Sequence, residues 1–272
     1  MTGAGNPIPA HTSQETAMTQ TLTRSPSIAP ARPVARPSGA SLPKLVGLET
    51  RKSLSTRSGK SLAVTSVLFA PAAMAVAAVA TTEPIGLAAG PIAVVGMLTA
   101  FVLLSLGVLS TAGEWSHRTV QTTFLLVPHR GRVLAAKSIA VAIMGALFAA
   151  MSAALAAGVL ALTMSDLSWD GTARALGTVA AAGAVFAVIG AGVGAALGNT
   201  PAALTSLYLV ILGAMPVLET VKPALATKID PAGAVIDLAT GHAQTTPVLI
   251  LTGWVVVSLA AGAVMTRRRA VQ

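Results

Sequence analysis

The chain has 272 residues, of which 54% are hydrophobic, 10% charged and 3% aromatic, and its net charge is +9. A water-soluble domain carries about 25% charged residues, so this composition argues against a soluble globular enzyme and for a chain whose main solvent is lipid. There is no cysteine, which rules out disulfides, thiolate zinc sites and iron–sulfur clusters.

Residues 1–40 are rich in Pro, Ser, Thr, Ala and Arg and have no hydrophobic period. This is the composition of a disordered tail. No apolar run follows a short basic start, so the segment does not read as a signal peptide. Two readings stay open for it: a solvated extension, or a basic arm resting on anionic lipid. Residues 41–60 read as a basic amphipathic helix at the membrane surface. Leu42, Leu45 and Val46 share one face, which Glu49 interrupts, and Lys44, Arg51, Lys52, Arg57 and Lys60 supply positive charge.

From Ser61 onward the charges divide the chain. No Asp, Glu, Lys or Arg occurs in 61–82, 84–113, 138–165, 175–218 or 238–266. A spanning helix needs roughly 20 apolar residues, so four of these windows hold one helix each. The window 175–218 holds two, parted by the turn cluster Gly198-Asn199-Thr200-Pro201. Six spans are expected, near 61–81, 88–110, 138–163, 175–197, 202–218 and 247–266, within a transmembrane domain of residues 61–266 and ahead of a basic tail at 267–272.

Lys and Arg orient the spans. With both termini inside, only Arg174, Lys222 and Lys228 of the 18 basic residues fall outside. The expected fold is therefore an all-α polytopic membrane protein with six spans and both termini cytoplasmic. In the fourth span, Gly190, Gly194 and Gly198 recur every four residues, a stripe suited to close helix packing. Between 219 and 246, Pro223 and Pro231 break the chain into what read as short interfacial helices. Trp169 and Trp254 read as ordinary interface and span aromatics.

Catalytic and ion-coupling signatures are missing. Gly59-Lys60-Ser61 resembles the end of a phosphate-binding loop, but the first glycine of that motif is replaced by Leu54 and no strand precedes it. None of the four histidines, His11, His117, His129 and His242, falls within a span. Charge-free spans argue against proton- or ion-coupled transport. No catalytic residue, metal ligand or cofactor site is expected in this chain, and its charge is accounted for by a membrane surface and not by nucleic acid.

The inner loop between the second and third spans is the most unusual stretch. Ser116 reads as the cap of a short helix that Pro128 ends, with Val120, Phe124 and Val127 on one face and Trp115 at the interface. It is either an interfacial helix on lipid or a docking helix for a cytoplasmic partner.

The residues Gly113-Glu114, Arg118-Thr119, Pro128, Arg130, Arg132-Val133-Leu134 and Ala136-Lys137 resemble the pattern of bacterial ABC-2 type transporter permeases. The run from Leu48 through Gly59 resembles the amphipathic segment before that family's first span. The resemblance is one of architecture over residues 45–266 and is motif-specific in about 35 residues. It implies a membrane-spanning permease subunit in the bacterial plasma membrane, paired with a second permease copy or paralogue. Separate ATPase subunits would hold ATP and magnesium, so this chain would not itself be the enzyme.

On the same resemblance, residues 114–130 form the coupling element, with Glu114, Arg118, Thr119, Pro128, Arg130 and Lys137 as its site residues. Glu49, Arg51, Lys52 and Arg57 mark the connecting helix. The second and fifth spans would line the path, where Thr205, Ser206 and Tyr208 offer hydroxyls. The cargo implied is drug-like or amphipathic and exported. The alternative is a multi-span membrane anchor or interaction protein that transports nothing. The resemblance also implies a re-entrant element before the last span.

Overall fold

The structure is a computed structural model. It describes residues 2–3, 41–80, 86–116 and 130–269. The chain divides into two units, Met1–Gly39 and Ala40–Gln272, and every helix below belongs to the second. Among the described residues the protein is helical, without a strand.

Six helices are long and apolar enough to cross a membrane, the build of a multi-pass membrane protein. A shorter helix, α1 (Leu42–Ser55), precedes them. The first four spans are α2 (Arg57–Ala80), α3 (Ala89–Ser116), α4 (Arg130–Thr163) and α5 (Thr172–Leu197). The fifth, Thr200–Val221, is built from α6 (Thr200–Tyr208), a π-helical turn (Leu209–Ala214) and α7 (Met215–Val221). After the short α8 (Pro223–Ala226) and α9 (Pro231–Thr240) comes the last span, α10 (Thr245–Arg268).

The helices overrun the charge-free windows. With 28 residues, α3 is about 42 Å long at 1.5 Å per residue, against a hydrocarbon core of about 30 Å. At 34 residues, α4 is longer still. The excess carries Glu114, in the last turn of α3, and Lys137, in the second turn of α4, so neither lies in a loop. Ser116 ends α3, and the short helix expected after it lies outside the described residues. The Ser116 hydroxyl lies 3.3 Å from that of Thr200.

Small residues decide the packing. The core of the bundle is the pair α3 and α5, with α4 and α10 on other faces of α5. A Cβ on Gly190 would collide with the carbonyl oxygen of Leu104, and one on Gly194 with the Thr111 hydroxyl. The Thr111 hydroxyl donates across this seam to Ala191 O at 2.9 Å. Gly183 meets Gly145 of α4, and Gly192 meets Ser258 of α10, backbone to backbone. Glycine on three faces lets α5 approach three neighbours closely, since dispersion contacts fall off within an ångström. Gly198 does not extend this stripe. Helix α5 stops at Leu197, and Gly198 is its C-cap at φ +62°, donating to Gly194 O at 2.8 Å.

The two ends of the bundle are tied differently. At one end, Ala88 N donates to Ser168 O and Ser168 N to Gly86 O, at 3.0 and 3.1 Å, joining the approach to α3 with the exit from α4. Near it, α9 packs on α3, α5 and α10, burying Ala234, Val235 and Ala239. It packs as part of the bundle. Asp230 caps it, accepting from Ala232 N and Gly233 N at 3.0 and 2.6 Å.

At the opposite end, the Arg269 guanidinium donates to Ala195 O and Ala196 O, at 3.1 and 2.5 Å, and lies 5.1 Å above the Trp115 ring. A cation thus satisfies the last carbonyls of α5.

Candidate functional site

The α1–α2 elbow starts the site. Thr56 is extended between the two helices, and its hydroxyl accepts from Gly59 N at 3.0 Å. A Cβ on Gly59 would strike the Ser53 carbonyl, so the tight bend requires glycine there. That is what the Gly-Lys-Ser run does in this fold. The elbow lays α1 against the start of α4.

One face of α1 is Leu42, Leu45, Val46, Glu49, Ser53 and Leu54, all partly buried. Glu49 therefore continues the inward face that its charge had marked as interrupted. It is tolerated there because Lys137 Nζ donates to Glu49 Oε2 at 2.5 Å. The same Nζ donates to Glu114 Oε1 at 2.6 Å, and Lys52 Nζ donates to that same oxygen.

Four charges from three helices thus form one chain: Glu49–Lys137–Glu114–Lys52. Its side chains are 14, 5, 8 and 46% exposed, in that order. Among the described side chains, two carboxylates face two ammonium groups. Burying any one of them alone would cost several kcal/mol. Glu114 also sits in the last turn of α3, where the helix dipole disfavours an anion. Lys52 and Lys137 offset that cost.

A cleft of about 330 Å³ opens beside the cluster. Leu106 and Leu109 of α3 form its apolar wall, while Glu114, Lys52 and Thr56 line its polar side. The cleft continues an open strip on α3. Leu98, Val102, Ser105 and Leu109 are partly exposed on a helix that is otherwise largely buried. On the other side of this strip Tyr208 of α6 reaches across. Its hydroxyl donates to Phe101 O at 2.8 Å and lies 2.6 Å from the Ser105 hydroxyl. The π-helical turn begins at the next residue. Ser206 turns instead to its own helix, donating to Ala203 O at 3.2 Å.

The structure brings Glu49, Lys52, Glu114 and Lys137 together, and leaves Arg51 and Arg57 exposed on the outer side of the elbow. Arg118, Thr119 and Pro128 lie outside the described residues. Arg130 opens α4, and its side chain lies outside them too. No group of three or more metal-ligating side chains occurs among the described residues. No protein-family model matches the chain, and no curated protein matches it.

Proposed function

We propose that this chain is the membrane-spanning permease subunit of an ATP-driven transporter, with both termini cytoplasmic and the ion-pair cluster at the cytoplasmic end. The observation that carries the reading is the placement of Glu114 and Lys137. They bracket residues 117–129, and both are bound to α1. A force applied to that segment by a partner would reach α3, α4 and α1 together, since a buried ion pair resists separation. An inert anchor has no need of such a linkage.

Further support comes from charge. The end with the cluster also carries the arginines of the α10 terminus, and basic residues favour the cytoplasmic side. The open strip of α3 beside Tyr208 supports a path between the second and fifth spans. Its apolar lining, broken by single hydroxyls, suits a drug-like or amphipathic cargo, exported on ATP hydrolysed by separate subunits. A second permease copy or paralogue would close the other side of that strip.

The test is the double substitution Arg118→Glu with Arg130→Glu, made in vesicles holding the transporter and its ATPase. Membrane insertion should be unchanged, while ATP-driven flux is lost. Normal flux in that variant would remove the coupling role of this segment.

A further inference from the structure

A second cavity, at the end of the bundle opposite the ion-pair cluster, has no role in the reading above. It is a groove of about 670 Å³ between α10 and the start of α7. Leu249, Gly253 and Val257 recur every fourth residue of α10 and form its floor. Leu249 and Val257 are 66 and 68% exposed. A Cβ on Gly253 would meet nothing within 4 Å, so the missing side chain is what deepens the groove. One wall is the Trp254 indole, fixed in place as its Nε1 donates to Ile229 O at 2.8 Å. Met215 forms part of the other.

The mouth differs from the floor. Lys228 and Thr246 stand there, and no acidic residue lines the groove. Among the described residues, Lys228 makes no ion pair. From Thr246 to Val257 the helix rises about 16 Å, close to the roughly 15 Å depth of one leaflet. The groove thus offers one positive charge and a hydroxyl at the surface, then an apolar channel one leaflet deep.

The geometry points to a site for a single anionic phospholipid of the surrounding leaflet, its phosphate on Lys228 and an acyl chain along Gly253. A compact ammonium binds phosphate as a point charge, and the void at Gly253 gives the chain a depth that the flanking leucine and valine deny it. This assignment needs only a membrane-spanning bundle and is independent of transport.

The test uses the full-length protein in mild detergent, with phosphatidylglycerol or phosphatidylcholine of identical acyl chains, read by native mass spectrometry. One phosphatidylglycerol per chain should be retained about fivefold better than phosphatidylcholine, the effect of one basic residue beside an anionic headgroup. Lys228→Gln should abolish that preference. Gly253→Leu should fill the groove and remove the lipid, and it places a better helix former on an open face. Gly158→Leu, at another open glycine of a span, should change nothing. Equal retention of the two lipids by the unaltered chain would overturn the site, as would undiminished binding in either Lys228→Gln or Gly253→Leu.

Discussion

Lys137 of α4 and Glu49 of α1 stand 88 positions apart in the chain, and their side chains meet at 2.5 Å. Through Lys137 the contact extends to Glu114, so the helix before the first span is fastened to the helices on both sides of residues 117–129. The strength of that fastening follows from burial, since Lys137, Glu114 and Glu49 are 5, 8 and 14% exposed.

Removing Lys137 takes from Glu49 the lysine it pairs with and from Glu114 one of its two lysines. Lys137→Met should therefore destabilise the purified protein by about 3–5 kcal/mol, the loss typical of one partner in a buried pair. Lys52→Met should cost about 1 kcal/mol or less, since that side chain is half exposed. Thermal unfolding in detergent would rank the two. Equal melting of the two variants would count against a buried cluster.

The seam between α3 and α5 has no room for a side chain. Gly190→Leu would drive its new atoms into the Leu104 backbone, so the helices must part and the variant should fail to accumulate in membranes. Overpacking of this kind costs about 1–3 kcal/mol even where side chains give way, and backbone gives way less. The measurement is the amount of intact protein in the membrane fraction, with Gly158→Leu as the tolerated comparison.

Tyr208 joins the fifth span to the second at the point where the helix turns π-helical. Tyr208→Phe removes the donor to Phe101 O, and a net loss of about 1 kcal/mol is expected. Ser105→Ala leaves that bond in place and should cost less. If the strip on α3 is a path, a cysteine at Val102 should react with a water-soluble thiol reagent more readily than one at Leu155, exposed on the outside of α4. Equal reaction at the two positions would speak against a path there.

The six spans were legible because charge is so costly in hydrocarbon that its absence marks each one. The helix ends were not. A charge-free window stops at Glu114 and starts after Lys137, but both residues sit on helices that continue into an ionic cluster. Glu49 looked like a break in an apolar face because its partner lies in a distant helix, and nothing local announces a pair across 88 positions. The glycine spacing 190, 194, 198 pointed to close packing, and for the first two residues the neighbour is α3. It could not say that the helix ends at Leu197, which makes Gly198 a cap. Gly183 and Gly192, which face α4 and α10, fall off that four-residue register and were passed over. The π-helical turn has no sequence signal that separates it from an ordinary apolar helix.

The central claim is that another chain drives this one. The most direct measurement is gentle detergent purification of the tagged protein from its native membrane, with and without crosslinking, followed by identification of the chains recovered. The account predicts a soluble chain in stoichiometric amount that carries a complete phosphate-binding Gly-x-x-x-x-Gly-Lys-Ser/Thr sequence. Recovery of this protein alone, even after crosslinking, would contradict it.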